Sequence, residues 1–415
     1  MSLKDKITPQ RGLSIPSLVL RRLAVLKMLV IFSALAMVVS CDAGNHRPPA
    51  EDTASNRTFT QYQSGTPVVR GTPLRFPDDH GSHPQQSIEW WYLTSNLQTD
   101  TGATFGVQWT LFRARLPENE QTPATENNPW WQNQFYFAHF ALQSDTAHHA
   151  FERFGRAGQV QIHATPFRAS LDDWVLASTQ SQQSQQSQQS DAFLPLQLQA
   201  QSRKEAQDFA VDLRLDHSPI VAHGDAGYSQ KTPQGNASYY YSLPFLAASG
   251  SLTFEGKTYS VSGDAWLDRE WSGGLLSRDL TGWDWFSLQS EKQHNGQRSA
   301  IMAFCLRGSD QDYQYCDATR ITQTADKPHP VQTEVIPRSH ISLIATDTAI
   351  LDDKPYPVQW QLTLNQQTFA IEAINPDSRN ALTFPYWEGR VTFREVSPTN
   401  QTGLQGKGYA ELTGY

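Results

Sequence analysis

Short runs of alternating apolar and polar residues, separated by turn residues, recur along most of this chain. A period of two places successive side chains on opposite faces of a strand, and no long segment has the 3.6-residue period of a helix. The runs are Ile88–Leu97, Thr104–Phe112, Phe135–Leu142, Val160–His163, Phe209–Leu215, Gly250–Phe254, Thr258–Val261, Phe286–Gln289, Ala300–Leu306, Gln314–Ile321, Trp360–Leu364, Thr368–Ala373, Arg390–Phe393 and Lys407–Leu412. The pattern predicts an all-β protein of barrels or sandwiches.

Turn residues and chain length refine this prediction. Thr99–Gly102, Glu255–Lys257 and His294–Gly296 are typical hairpin turns between alternating runs. A chain of 415 residues exceeds the usual size of one compact domain. We therefore expect two β domains after an N-terminal extension.

The first 41 residues have the features of an export signal. Six basic residues and a 12-residue apolar run, Met28–Val39, precede Ser40-Cys41. The run is short for a membrane span and typical of a signal peptide, and its end resembles a bacterial lipoprotein cleavage site. We expect Cys41 to be lipidated, which would tether the protein to the periplasmic side of the bacterial cell envelope. A signal anchor with an incidental cysteine is the alternative, and Asp42 weakly favours the inner membrane.

Composition describes the segments that follow. Residues 42–66 are polar and predict a flexible tether, and the Gln/Ser repeat at 180–190 predicts a disordered surface loop. Residues 1–41 carry six basic residues and one acidic residue, so without them the net charge falls from −8 to −13. A surface this acidic argues against nucleic acid as a partner. It also leaves the acyl chains as the expected contact with the membrane.

Cys305 and Cys316 are the other two cysteines. They flank Arg307–Asp312, a turn-rich stretch, and a hairpin centred between residues 310 and 311 would place them opposite each other. In an exported protein this arrangement predicts a disulfide. Two free buried thiols are the alternative.

Four segments place carboxylates beside tryptophans and hold half of the chain's 12 Trp residues. They are Glu89-Trp90-Trp91-Tyr92, Asp268-Arg269-Glu270-Trp271, Trp283-Asp284-Trp285-Phe286 and Tyr386-Trp387-Glu388. A carboxylate held against an indole can have its pKa raised and become a proton donor. These segments are therefore the candidate functional regions.

Strand periodicity divides two of these segments into faces. Asp264, Trp266, Asp268 and Glu270 share one face, while Ala265, Leu267, Arg269 and Trp271 share the other. Trp283 and Trp285 project together, opposite Asp284 and Phe286. Acids interleaved with Trp suggest a lined cleft. A solvated acidic face, with Trp residues that only fill the core, is the alternative, and Arg269 with its acidic neighbours could form a buried ion pair at the domain junction.

Other chemistries have weak signals. Asp78, Asp79, His80 and His83 have loosely metal-like spacing, but no second half of a site is visible. The sequence contains no Gly-rich phosphate loop, no Gly-x-Ser-x-Gly elbow and no Cys/His nucleophile pattern. We therefore expect neither a metal nor a cofactor.

Several motifs resemble the AttH-like family, which is also described as carotenoid 1,2-hydratase-like or hydroxyneurosporene synthase-like. They occur in order and are Asp79–Pro84 followed by Ile88–Tyr92, Ser238–Ser242, Val261–Trp271, Gly282–Phe286 and the C-terminal Gly408–Tyr415. The resemblance covers the chain from about residue 70 to the end. It implies two consecutive lipocalin-like β domains with a cleft between them, and we place the domains at residues 67–262 and 263–415.

The resemblance also implies a pocket for an apolar, isoprenoid-like ligand. If hydratase chemistry applies, a protonated carboxylic acid donates to an alkene and aromatic faces stabilise the cation. The candidate acids are Asp268 first, Asp284 second and Glu270 third. The candidate ligand-binding residues are Trp91, Tyr92, Tyr240, Trp266, Trp271, Trp283 and Trp285.

Three functions follow as hypotheses. The first is a membrane-tethered protein that binds an apolar small molecule and assists an envelope transport system of the ABC type. The second is an enzyme of the hydratase, isomerase or cyclase class that uses a carboxylic acid as proton donor. The third is a structural envelope protein whose Trp-rich segments only build the core.

Overall fold

The computed structural model describes residues 65–116, 133–179, 193–274, 279–324, 327–396 and 403–415. The predicted signal peptide with Cys41, nearly all of the tether and the Gln/Ser loop at 180–190 lie outside the described residues. Across the part of the chain that the structure describes, no helix is long and apolar enough to cross a membrane.

The chain is all-β, as the alternation predicts, and its strands form two antiparallel sheets that follow each other in sequence. Thirteen strands build the first sheet. They are β1 (Ile88–Gln98), β2 (Thr104–Arg115), β3 (Gln134–Gln143), β4 (His148–Gly155), β5 (Val160–Ala164), β6 (Phe167–Leu171), β7 (Trp174–Ser178), β8 (Leu196–Lys204), β9 (Gln207–Asp216), β10 (Val221–Ala222), β11 (Tyr228–Gln230), β12 (Ala237–Phe254) and β13 (Lys257–Ser272). Their order is β4-β3-β2-β1-β13-β12-β9-β8-β7-β6-β5, and β10 and β11 pair with β12.

Ten strands build the second sheet. They are β14 (Leu280–Ser290), β15 (Arg298–Gly308), β16 (Tyr313–Thr324), β17 (Lys327–Val335), β18 (Ile341–Leu351), β19 (Lys354–Leu364), β20 (Gln367–Ala373), β21 (Arg379–Asn380), β22 (Tyr386–Glu395) and β23 (Gln405–Leu412). Their order is β17-β16-β15-β14-β23-β22-β20-β19-β18, and β21 pairs with β22. The sheets form two consecutive lipocalin-like β units.

Local sequence explains the hairpins. The predicted turns at Thr99–Gly102, Glu255–Lys257 and His294–Gly296 lie between paired neighbours, β1–β2, β12–β13 and β14–β15. At the β12–β13 turn Gly256 has φ 78°. Glycine takes this left-handed conformation without the strain that a side chain causes, so the chain reverses there.

Three buried clusters divide the apolar side chains. One fills the first sheet and a second fills the second sheet. The third, which we call the junction cluster, combines residues of both sheets. Its members are Ile88, Tyr92, Val221, Tyr240, Phe245, Trp266, Leu280, Trp285, Ala300, Met302, Phe304, Leu306, Tyr315, Ile321 and Tyr409. Two of the four acid–tryptophan segments contribute members to the junction cluster, Tyr92 and Trp285.

The predicted disulfide is present. Cys305 on β15 and Cys316 on β16 are directly opposite partners and are covalently linked. The disulfide links two neighbouring strands of the second sheet beside the apolar core of that sheet, to which Cys305 belongs.

The change from one sheet to the other occurs between Ser272 and Leu280. The domain boundary that we placed after Ser262 falls inside β13, which continues in the first sheet to Ser272. A single strand therefore carries both the end of the first unit and the residues that face the second. The division into two folding domains stays a prediction.

Candidate functional site

Strand β13 presents its carboxylates to the junction. Trp266 belongs to the junction cluster, whereas Leu267 and Trp271, on the opposite face, belong to the core of the first sheet. On the neighbouring strand β12, Ser242 lies opposite Asp268 and Tyr240 lies opposite Glu270. The alternation predicted from sequence for this segment is confirmed.

Asp268 is a buried carboxylate at the junction and accepts three hydrogen bonds from side chains. The Tyr240 hydroxyl donates to its Oδ2 atom at 2.7 Å, and the Trp266 indole N–H donates to Oδ1 at 2.6 Å. The Ser242 hydroxyl also donates to Oδ1. The residue is 3% exposed, so these neighbours replace water around it.

Burial sets the protonation of this group. It raises the pKa of Asp268 from 3.8 to about 7, against the hydrogen bonds from Ser242, Tyr240 and Trp266, which lower it. The negative charge of Glu270 adds to the increase. A carboxyl with a pKa near 7 can both hold and release a proton at neutral pH, which is the property that general acid catalysis requires.

Aromatic side chains connect Asp268 to the second sheet. The Trp285 indole N–H donates to the Tyr240 hydroxyl at 3.1 Å. The Trp285 ring lies edge-on to Trp266, with centroids 6.5 Å apart, and to Tyr92, with centroids 5.2 Å apart. Tyr92, Tyr240, Trp266 and Trp285, four of the seven predicted ligand-binding residues, therefore meet around one carboxyl, and Trp283 packs against the same cluster.

Glu270, the third predicted acid, is in an ion pair. Lys231 Nζ lies 2.9 Å from its Oε1 atom, and Ser238 donates to the same carboxylate. The Lys231 ammonium also lies 4.0 Å from the centre of the Phe304 ring and 5.0 Å from that of Tyr240. Glu270 and Lys231 are both buried. This pair places a cation beside the acid site and occupies the Glu270 carboxylate with Lys231 and Ser238.

Two further carboxylates at the junction were not among the predicted site residues. Glu388 on β22 and Glu411 on β23 lie opposite each other. The Trp283 indole N–H donates to Glu411 Oε1 at 2.7 Å, and the Tyr92 hydroxyl donates to Glu388 Oε1 at 2.6 Å. Burial raises the pKa of Glu411 to about 7, assisted by the charges of Asp268 and Glu270, and raises that of Glu388 well above its ordinary value.

Strand alternation in the sequence could have indicated that Glu388 and Glu411 lie on a covered face. In β23, Tyr409 and Glu411 alternate with Ala410 and Leu412, which lie in the core of the second sheet. Glu388 likewise follows the core residue Trp387. Alternation therefore places both glutamates on the face that the junction covers, although it does not say what covers that face.

Asp284 lies apart from Asp268. Arg307 Nε donates to it at 3.0 Å, and the hydroxyls of Tyr313 and Tyr415 donate at 2.6 Å and 2.9 Å. Its neighbour on the same strand face, Phe286, is in the core of the second sheet, whereas Trp285 faces the junction. The structure thus does not bring Asp268 and Asp284 to one site. Asp268, on β13, lies at the junction side of β14, whereas Asp284 projects from the opposite side of β14.

Trp91 and Trp271 also lie away from the junction, in the core of the first sheet. Arg269 lies between them, with its guanidinium carbon 3.9 Å from the centre of the Trp91 ring and 5.2 Å from that of Trp271. It pairs with the buried Glu89 at 2.9 Å and not with its sequence neighbours. The ion pair of Arg269, which its acidic neighbours could have provided at the domain junction, is instead made with Glu89 inside the first unit.

Glu89 holds this core together. Arg113 and Arg269 both contact its carboxylate, and Ser82 and the His83 backbone N–H donate to it at 2.7 Å and 2.9 Å. Burial acts to raise the pKa of Glu89, but the hydrogen bond from His83 and the two arginine charges outweigh it and hold the pKa well below its ordinary value. Glu89 is a permanent anion and not a proton donor.

The two histidines with metal-like spacing have other partners. His80 Nδ1 lies 2.6 Å from the Tyr241 hydroxyl and its ring stacks on Phe193. The His83 ring stacks on Trp271 with centroids 4.0 Å apart. Over the described ranges, no three His, Cys, Asp or Glu residues are grouped so that they could hold a metal ion.

Three residues at the edge of the junction are partly exposed, and one cavity adjoins the junction cluster. Trp90, Trp283 and Glu411 are only partly buried, and a cavity of ≈ 260 Å³ adjoins two members of the junction cluster, Leu280 and Tyr315. Thr232, next to the buried Lys231, also lines this cavity. Asp268, Tyr240, Trp266 and Trp285 do not line this cavity.

Comparison with known proteins agrees with this architecture. The sequence pattern of the AttH-like family matches residues 67–415. A crystal structure of a protein described as AttH, from Nitrosomonas europaea, is 30% identical with a TM-score of 0.69 and covers 84% of this chain and 99% of that chain. Kievitone hydratase from Nectria haematococca is 18% identical with a TM-score of 0.56, covers 85% of this chain and 97% of that chain, and shares the fold. No curated protein sequence matches. The chain belongs to the AttH-like family.

Proposed function

We propose that the junction between the two sheets binds an apolar small molecule and that Asp268 protonates an isolated alkene in it. The reaction class is hydration, isomerisation or cyclisation. The observation that carries this proposal is the environment of Asp268, a buried carboxyl among aromatic rings whose pKa burial raises to about 7. Perturbed carboxyls of this kind are concentrated at functional sites.

The chemistry balances without a cofactor. The O–H bond of protonated Asp268 breaks as a C–H bond forms on the alkene, and the positive charge moves to the neighbouring carbon. The rings of Tyr240, Trp266 and Trp285 supply negative faces that stabilise a cation. Addition of water and return of one proton to the Asp268 carboxylate gives an alcohol, whereas direct proton loss from carbon gives an isomer.

Hydrogen-bonded groups behind Asp268 support proton return. The Ser242 hydroxyl contacts Asp268 on one side and lies 2.6 Å from His223 Nε2 on the other. His223 is fully buried, and burial lowers its pKa to about 3, so its ring is neutral. A neutral imidazole and a hydroxyl can pass a proton by exchanging donor and acceptor roles.

A second candidate function is binding without chemistry. Asp268 already accepts three hydrogen bonds from side chains, so it is fully satisfied as a structural group. In this case the protein would carry an apolar ligand, tethered through Cys41 on the periplasmic side of the envelope, and would deliver it to a transport system of the ABC type. The fold shared with kievitone hydratase assigns no residue role and does not separate the two candidates.

Labelled water distinguishes them. Farnesene, squalene and an envelope lipid extract would be incubated with the protein in ¹⁸O-enriched water and, separately, in D₂O. Mass spectrometry detects addition of labelled water or incorporation of deuterium. We expect label in at least one alkene, and we expect Asp268→Asn to abolish labelling while native mass spectrometry shows retained ligand binding.

Asp264→Asn is the matched control. Asp264 lies on the same strand and face, but its side chain is 44% exposed and pairs with Arg298, so labelling should be unchanged. Full labelling by Asp268→Asn would refute the assigned donor. Binding with no labelling would favour the carrier function, and a wild-type protein that binds none of the probes would refute both.

A further inference from the structure

A second set of polar side chains lies at the junction, away from Asp268. It comprises Gln108 on β2, His139 on β3, and Tyr386 and Glu388 on β22, and we call it the Tyr386 cluster. Val107, Trp109, Ala138 and Phe140, which alternate with the first two, lie in the core of the first sheet, and Trp387 lies in that of the second. Alternation therefore directs the cluster to the side between the sheets.

The Tyr386 hydroxyl joins the two sheets at this point. Gln108 Nε2 donates to it at 3.2 Å, and His139 Nδ1 lies 2.9 Å from it. Gln108 Nε2 also donates to Thr110 at 2.7 Å. The Tyr92 hydroxyl donates to Glu388 Oε1 at 2.6 Å, and the Tyr92 ring contacts Trp285. Through Tyr92 the cluster adjoins the aromatic groups around Asp268.

Three atoms of the cluster have no hydrogen-bond partner in the described part of the chain. They are Gln108 Oε1, His139 Nε2 and Glu388 Oε2. Their residues are 2%, 1% and 1% exposed. A buried polar atom without a partner costs about 1–3 kcal/mol, and such atoms are few in native proteins. Of the twenty such atoms among the described residues, these three belong to side chains of one cluster, which indicates a place for an external hydrogen-bonding group.

The charge of the cluster restricts that group. Burial lowers the pKa of His139 to about 3, so the ring is neutral. Burial, with the charge of Glu411, raises the pKa of Glu388 well above its ordinary value, which favours the uncharged carboxyl. Oε1 accepts from Tyr92, and the Glu388 carboxyl also hydrogen-bonds with Tyr386. The Gln108 oxygen is an acceptor, and the second ring nitrogen of neutral His139 is a donor or an acceptor according to its tautomer, so the cluster suits a group that both donates and accepts.

We propose that the Tyr386 cluster binds a neutral hydroxyl group of the ligand, so that the natural ligand is an apolar molecule with an alcohol function. This inference rests on the proposed ligand site at the junction. An ionised carboxylate or phosphate fits poorly, because the cluster supplies no positive charge. A plain hydrocarbon fits poorly, because it leaves three polar atoms buried without partners.

Paired probes test the proposal. The affinities of farnesol, farnesene and ionised farnesoic acid would be measured by isothermal titration calorimetry at pH 7. Farnesol and farnesene share one hydrocarbon framework, so their ratio isolates the hydroxyl. We expect farnesol to bind at least about tenfold more tightly than farnesene, because a buried polar atom left without a hydrogen bond costs about 1–3 kcal/mol.

Two variants locate the effect. Gln108→Leu and His139→Phe should each reduce the farnesol preference about fivefold or more while farnesene affinity stays within twofold of wild type. His163→Phe, an exposed residue on β5, is the control. Thermal unfolding should show both cluster variants folded, because each substitution also removes an unpartnered polar atom.

The outcomes separate this inference from the proposed function. Equal binding of farnesol and farnesene, unchanged in both variants, overturns the hydroxyl site and leaves the apolar ligand site intact. Tighter binding of farnesoic acid also overturns it. A crystal structure with farnesol bound that shows only a water molecule at the three atoms would also overturn the hydroxyl site. Absence of binding by all three probes overturns both proposals.

Discussion

Replacing Asp268 by Asn should change stability in a way that depends on pH. The proton binds more tightly to the folded than to the unfolded chain, because burial raises the pKa of Asp268 from 3.8 to about 7. Below pH 3.8 the group is protonated in both states and no stability is lost. As the pH rises from about 4 through about 7, unfolding releases the proton and the free energy of unfolding falls.

The magnitude follows from the shift. About three pKa units at 1.36 kcal/mol each amount to about 4 kcal/mol. Asn cannot ionise, so Asp268→Asn avoids this loss. The free energy of unfolding of the variant, relative to that of wild type, should therefore increase by about 4 kcal/mol as the pH rises from 4 to 8. Part of this increase comes from Glu411, because the charge of Asp268 also raises the pKa of Glu411.

Urea unfolding followed by tryptophan fluorescence, at half-unit steps from pH 4 to pH 8, measures the difference. Asp264→Asn, which removes a partly exposed carboxylate from the same strand and face, is measured alongside as the control. A difference between Asp268→Asn and wild type that does not change with pH would show that Asp268 titrates as an ordinary aspartate. The acid role would then lose its physical basis.

Three other substitutions test separate parts of the structure. Glu89→Gln should lower the free energy of unfolding by about 3–5 kcal/mol in urea titrations, because it leaves the buried Arg113 and Arg269 without their anion. Asp284→Asn should leave alkene labelling per folded molecule unchanged, because Asp284 faces the core of the second sheet and not the junction, and loss of labelling in a folded protein would contradict the separation of the two aspartates. Replacing Cys305 and Cys316 by Ser should lower the free energy of unfolding by about 2–3 kcal/mol in the same titrations, whereas a midpoint equal to that of wild type would contradict a stabilising bridge.

Local patterns in the sequence predict much of the fold. The alternating runs, the turns at Glu255–Lys257 and His294–Gly296, and the pairing of Cys305 with Cys316 depend on neighbours within a hairpin. The same period of two correctly separates Trp266 and Asp268 from Leu267 and Trp271. These features need only the strand geometry, which each segment carries in itself.

Long-range pairing limits the prediction of the site. Strand β1 lies beside β13, about 180 residues later in the chain, and this brings Arg269 to Glu89. No local signal indicates that Glu388 and Glu411 reach the same junction as Asp268, because three different strands supply them. Asp284 and Trp271 were predicted as site residues from their motifs. Strand periodicity already placed Asp284 on the face opposite Trp285, and Trp271 on the face opposite Glu270.

The protonation of Asp268 is the central claim, and ¹³C NMR of aspartate-labelled protein tests it most directly. The Asp268 carboxyl resonance, assigned by its absence in Asp268→Asn, would be followed from pH 4 to pH 9 in the full folded chain. The structure predicts a midpoint of about 7, set by burial among Tyr240, Ser242 and Trp266. A midpoint near 4 would contradict the proposed acid.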